Sequence, residues 1–173
     1  MKLSRQIALF TMIWSVVTAQ CGHAAEPTIE AIRAQYARVN RELKRCTQVK
    51  RNLEGYSTEG GTLTAYFRNL SPRKLVAQFY GETGQATEEY YFWNNRLFFV
   101  IRRESRYDKP FGIVQSTTEN RYYFTGGKLI RWVDERKNSI STTSPKAQQR
   151  EREMLRSTRE LLDLSKAAHK KRA

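Results

Sequence analysis

Histidine, cysteine and closely placed carboxylates build most catalytic and metal-binding sites, and this chain is short of the first two. Its 173 residues include two histidines and two cysteines. Cys21 and His23 fall in an apolar leader, which leaves Cys46 and, far from it in sequence, His169 in a basic C-terminal stretch. A serine or cysteine nucleophile needs its base within hydrogen-bond reach, and this inventory offers no such arrangement. A metal site needs several His, Cys or carboxylate ligands converging, and only carboxylates remain in number. Glu88, Glu89, Glu104 and Asp108 are the candidates for an acid/base pair. Because Arg102, Arg103 and Arg106 lie among them, cross-strand ion pairs are the expected arrangement. Gly81-Glu82-Thr83-Gly84 and Thr125-Gly126-Gly127-Lys128 have the glycines of phosphate loops without the strand-loop-helix context, and are read as turns. The inventory predicts a protein that is not an enzyme and that uses no cofactor or metal.

What remains for recognition is arginine beside aromatic rings. Tyr90-Tyr91-Phe92-Trp93, a turn at Asn94-Asn95 and Arg96-Leu97 recur as Tyr122-Tyr123-Phe124-Thr125, a turn at Gly126-Gly127 and Lys128-Leu129. Ala65-Tyr66-Phe67 followed by Lys74-Leu75 is a looser third copy. Each copy reads as a hairpin, since Asn-Asn and Gly-Gly tolerate the positive φ angles of a two-residue turn. Regular pairing then sets Phe92 opposite Leu97, Tyr90 opposite Phe99, Phe124 opposite Leu129 and Tyr122 opposite Arg131, on one mainly core face. The other face holds Trp93 beside Arg96, Tyr91 beside Phe98, Tyr123 beside Ile130 and Arg121 beside Trp132. Arg96, Arg102, Arg121, Trp93, Trp132, Tyr91 and Tyr123 are accordingly the candidate ligand-binding residues, because Arg, Trp and Tyr dominate binding hot spots. The competing expectation is structural: terminal helices cover both sheet faces, and Arg96 and Arg121 stack on Trp93 and Trp132 at the rim.

The elements that must position these residues follow from periodicity. Pro27 suits the first turn of a helix, and Ile29, Ile32, Tyr36, Val39 and Leu43 recur at spacings of three and four. Arg33, Arg38, Arg41 and Lys44 occupy its other faces as a solvated basic surface. From Thr47 to Val133 the chain is β-branched and aromatic, broken by Gly, Pro and Asn. Strands are expected over 48–57, 62–69, 73–80, 86–93, 96–104, 120–125 and 128–134, and the short connections force antiparallel neighbours. Ser144-Pro145 is an N-cap and first-turn pair for a second helix carrying Met154, Leu155, Leu161, Leu162 and Leu164. Residues 166–173 read as a basic, frayed tail. The expected fold is α+β, an antiparallel β-meander of about six or seven strands flanked by an N-terminal and a C-terminal helix.

The succession Tyr56-Ser57-Thr58-Glu59-Gly60-Gly61, Tyr80-Gly81-Glu82-Thr83-Gly84, Tyr90-Tyr91-Phe92, Tyr107-Asp108-Lys109-Pro110 and Arg121-Tyr122-Tyr123-Phe124 resembles that of uncharacterised small exported bacterial proteins with Tyr-rich β-hairpins. The resemblance covers most of the chain and carries no functional residues across.

Residues 1–24 read as a signal peptide: Lys2 and Arg5 are followed by an apolar run over 7–17, too short for a membrane span, with Gly22-His23-Ala24 as the cleavage site. A lipid anchor on Cys21 is the alternative. Cleavage after Ala24 leaves one domain over 25–165 and the tail. Cys46 is then unpaired, an inert packing thiol in one reading and a reactive or intermolecular one in the other. The full chain carries a net charge of +14, and the leader holds no acidic residue. An exported, periplasmic or extracellular binding or interaction module follows, with an anionic protein or cell-envelope component as partner. The alternative is an inhibitor or immunity-type protein that neutralises an envelope enzyme. Basic residues interleaved with aromatics also suit single-stranded nucleic acid, a partner that export disfavours.

Overall fold

The computed structural model describes residues 28–170. The leader, its cleavage after Ala24, the Cys21 alternative and Pro27 lie outside the described residues.

Helix α1 spans Ile29–Glu42 and continues as a 3₁₀ turn over Leu43–Arg45. Thr28 caps it, its hydroxyl oxygen accepting a hydrogen bond from the Ala31 amide at 3.2 Å. Eight strands follow: β1 (Thr47–Asn52), β2 (Gly61–Arg68), β3 (Ser71–Gly81), β4 (Gly84–Trp93), β5 (Arg96–Tyr107), β6 (Val114–Thr125), β7 (Lys128–Val133) and β8 (Ser139–Ile140). They form one sheet in sequence order, every neighbouring pair antiparallel. Helix α2, Pro145–Lys170, closes the fold, with Ser144 Oγ accepting from the Ala147 amide at 3.3 Å. The architecture is the expected α+β meander between two helices, with eight strands instead of six or seven.

Several boundaries differ from the sequence expectation. β1 stops at Asn52 because Leu53 turns into the core and residues 53–60 loop back to β2. β6 begins at Val114, six residues before the expected start, where the chain is polar and exposed and lacks apolar alternation. The expected tail starts inside α2: Ser165 and Ala168 are buried, and His169 stacks on Phe67 with ring centroids 4.5 Å apart. That packing over β2 keeps the last turns helical.

The two main hairpins turn through Asn94-Asn95 (φ 48° and 60°) and Gly126-Gly127 (φ 54° and 81°), the double positive φ that matches the twist of the flanking strands. Their pairing departs from regular counting one residue past the turn. Phe92 meets Leu97 and Phe124 meets Leu129, but the register then shifts, so that Tyr91 faces Phe99, Tyr90 faces Val100, Tyr123 faces Arg131 and Tyr122 faces Trp132. The expected pairs Tyr90–Phe99 and Tyr122–Arg131 therefore do not form. The extra residues are Phe98 and Ile130, each a bulge that lets both it and its neighbour serve the same face. Tyr91 still lies beside Phe98, ring centroids 6.3 Å apart, and Ile130 stays on the face of Tyr123, while Arg121 beside Trp132 is corrected: Arg121 faces Val133.

The sheet divides the core in two, and this shift sets which rings each half receives. Under α2 lie Tyr90, Phe92, Leu97, Val100, Tyr122, Phe124, Leu129 and Trp132 with Met154 and Leu161. Under α1 lie Tyr91, Phe98, Phe99, Ile101 and Tyr123 with Ile32 and Val39, and Tyr36 half-buried against them. A sheet apolar on both faces must be covered on both, and the two helices do this, α2 reaching from β7 to β1 and α1 crossing β4 and β5. Among the described residues no helix is long and apolar enough to cross a membrane.

Candidate functional site

Helix α1 is short, and where it leaves the sheet uncovered a cleft of about 210 Å³ opens between it and β5 and β6. Ile32, Arg33 and Tyr36 line it from the helix, Phe99, Ile101 and Arg103 from β5, and Arg121 and Tyr123 from β6. The floor is aromatic: Phe99 lies edge-on to Tyr36 at 5.4 Å and tilted against Tyr123 at 4.9 Å, while Tyr91 packs behind Tyr36 at 4.8 Å. Arg33, Arg103 and Arg121 stand around it.

Their charges are ordered across the strands. Lys74 Nζ lies 3.0 Å from Glu89, Glu89 accepts from Arg103 at 3.2 Å, and Glu119 divides its oxygens between Arg103 Nε and Arg121 Nε, each at 2.7 Å. Burial by itself would raise the Glu89 carboxyl, but the Tyr91 hydroxyl it accepts from, with Lys74 and Arg103, takes it below the usual carboxylate range. Burial works against the Arg103 cation too, and Glu89 and Glu119 overcome it. Arg121 is held charged chiefly by its hydrogen bond to Glu119. Arg33 is exposed and makes no ion pair among the described residues. The result is a row of alternating charge ending in cations beside an apolar floor, suited to an anion that also carries an apolar group.

The seven residues singled out in the sequence are distributed over three places. Arg121 and Tyr123 line the cleft, and Tyr91 is wholly buried behind it, its hydroxyl shared between Glu89 and Asn40. Trp93 and Arg96 lie at the far end of the same face, paired across the Asn94-Asn95 turn. Trp93 is clasped by Arg38 and Arg73, whose guanidinium carbons stand 4.5 and 4.4 Å from its ring centre. Trp132 is on the other face, 3% exposed, donating to Asn120 at 2.9 Å with Lys146 over its ring. The cations on the tryptophans are thus Arg38, Arg73 and Lys146, and not Arg96 or Arg121. The bulge at Ile130 accounts for Trp132: it turns that side chain toward α2.

Arg102 is also on the α2 face, bound to Glu88 and Glu104. It borders a cavity of about 340 Å³ that Glu88 and Glu160 line as well, a setting less favourable to an anion than the α1 cleft. The cross-strand ion pairs expected are present for Glu88 and Glu89, whereas Glu104 pairs with Arg102 along its own strand and Asp108 spends its carboxylate on the amides of Lys109 and Ile113. Cys46 donates its thiol to the Glu42 carbonyl at 3.6 Å, and burial raises its pKa. His169 Nε2 lies 3.0 Å from the Asn69 carbonyl, and its ring stacks on Phe67, whose partner across the strands is Thr47, the neighbour of Cys46.

Sequence reasoning did not assign Arg33, Tyr36 and Arg103 to a site. Arg33 follows the buried Ile32 and precedes Tyr36 by three positions, so it borders the apolar stripe, which is the one signal that distinguishes it from the other helix arginines. No protein family, curated protein or solved structure matches the chain.

Proposed function

We propose that this chain is a non-enzymatic, exported binding module whose basic, aromatic cleft takes an anionic partner, an acidic protein or a component of the cell envelope. The observation that carries this reading is the set of three guanidinium groups, Arg33, Arg103 and Arg121, around the floor of Tyr36, Phe99 and Tyr123. A net charge of +14 draws anions toward the whole molecule; the cleft supplies a place where charge and an apolar group are met together. Arg is the residue of choice for planar anions, since it offers paired donors and stacks on rings.

The test uses protein purified from the envelope fraction, expected to begin at Ala25. Immobilised wild type and an Arg33→Glu, Arg121→Glu variant are challenged with envelope extract in moderate salt, and both melting temperatures are recorded. Loss of retained material by the variant with little change in melting temperature supports the reading. Equal retention by both proteins overturns it.

A second reading, an inhibitor or immunity-type protein, draws on the β5–β6 loop, where Phe111 and Ile113 are 68% and 75% exposed on a backbone tied down by hydrogen bonds. A single stoichiometric protein in the retained fraction would favour it over a polymer.

A further inference from the structure

β6, twelve residues long, has neighbours on both sides only over residues 121–123. β5 pairs with it from Val114 to Tyr123, whereas β7 pairs with Arg121 through Thr125. On the β7 side, therefore, 114–120 has no partner strand. Backbone groups of successive residues in an antiparallel strand point alternately to the two sides. Counting by twos from the hairpin-closing pair Thr125–Lys128, Tyr123 and Arg121 address β7, and Glu119 and Thr117 address the vacant side. Among the described residues no backbone hydrogen bond reaches them from there.

Such an edge is a template for another strand, and proteins usually blunt it with lysine, proline or bound cover. The other long edge follows that rule, for β1 carries Lys50 and Arg51. The β6 edge does not: 114–120 reads Val-Gln-Ser-Thr-Thr-Glu-Asn, whose one charge, Glu119, is committed to Arg103 and Arg121. At its mouth Phe111, Ile113 and Val114 are exposed. They are held there, because Asp108 accepts from the Lys109 and Ile113 amides at 2.9 Å, the Phe111 amide donates to the Glu82 carbonyl at 2.7 Å, and Phe111 keeps a φ of 55° that a non-glycine residue adopts only under constraint.

We propose that the free half of β6 receives an extended, acidic segment of a partner protein as an added strand. Backbone donors and acceptors at Thr117 and Glu119 that have no partner strand supply the ladder, and Phe111 and Ile113 cover an apolar residue at one end. Acidity follows from charge: Arg33, Arg103 and Arg121 stand on the adjacent face, and a second copy of this chain would bring the same positive charge to the edge. The inference rests on the anionic-partner reading above and specifies its partner.

The probe is an acetylated, amidated nine-residue peptide alternating Glu and Val, with a Lys/Val peptide as control. Binding of the Glu/Val peptide should slow amide exchange at Thr117 and Glu119, and Thr117→Pro, which removes an outward donor and no bond to β5, should weaken it about tenfold or more. The Lys/Val peptide should not bind. Unchanged exchange at Thr117 and Glu119 in the peptide-saturated wild type, equal affinity of Thr117→Pro, or no binding of the Glu/Val peptide would each overturn the strand. The exchange result decides the matter if Thr117→Pro does not fold. Dextran sulfate, an anion that cannot add a strand, separates the two proposals: retention that Arg33→Glu, Arg121→Glu abolishes, alongside a failed peptide, removes the strand and leaves the anion cleft standing. Failure of both probes removes both.

Discussion

The guanidinium of Arg102 is bound to the carboxylate of Glu88 beneath α2, where the two side chains are 27% and 8% exposed. Glu88 also accepts the hydroxyl of Tyr90, a ring fully enclosed by the core. Such a pair contributes little net stability against an apolar substitute, yet losing one partner leaves a buried charge unmatched.

Arg102→Glu therefore sets a carboxylate against Glu88 and Glu104 and should lower stability by about 3 kcal/mol or more. Arg121→Glu is a different case, since its side chain is 52% exposed and Glu119 keeps its bond to Arg103. A cost within about 1 kcal/mol is expected there. Urea titrations of the two variants check this, and similar losses in both would contradict the division between the faces.

Acid should weaken the α1 face through Glu89. Its carboxyl is held below the ordinary value of 4.5 in the folded chain, so the folded state binds fewer protons than the unfolded one as pH falls past that value. The stability this supplies is fully present above the unfolded pKa and is lost as pH drops through the folded one. Glu89→Gln leaves Lys74, 11% exposed, without its carboxylate, while Arg103 keeps Glu119, and should cost about 2 to 4 kcal/mol at neutral pH. The gap between variant and wild type should close progressively below pH about 4.5, and a gap that stays constant down to pH 2 would remove Glu89 from the linkage.

Cys46 should behave as a packing thiol. Burial raises its pKa, with Arg73 and Arg68 opposing only in part, and reactivity requires the thiolate. In the chain from Ala25 onward, iodoacetamide should modify it more slowly than free cysteine at pH 7.5. A rate equal to that of free cysteine would point to the reactive alternative.

Much of the fold was legible in local pattern. The stripe Ile32, Tyr36, Val39 defined α1, Ser144-Pro145 defined the start of α2, and Asn94-Asn95 and Gly126-Gly127 defined the hairpins, because capping and positive φ are properties of a few adjacent residues. Alternation failed where residues lack a buried face. The start of β6 is polar on both sides and its strand character comes from pairing with β5, which no property of 114–119 announces.

That the glutamates of β4 and the arginines of β5 would pair was likewise readable from strands of opposite charge, but the bulge at Phe98 chose the partners, setting Arg102 opposite Glu88. What the sequence by itself determined, then, was the two helices, the seven longer strands, their antiparallel pairing and the supply of arginine and aromatic side chains; β8 (Ser139–Ile140) was not among them. Which face each ring occupies was decided by the bulges at Phe98 and Ile130. One inserted residue reverses the alternation of all that follow, and it sent Trp132 under α2 while bringing Phe99 beneath Tyr36. The cleft, too, belongs to tertiary structure: Arg33, Arg103 and Arg121 come from three separate elements, and only the docking of α1 across β4 and β5 brings them to one apolar floor.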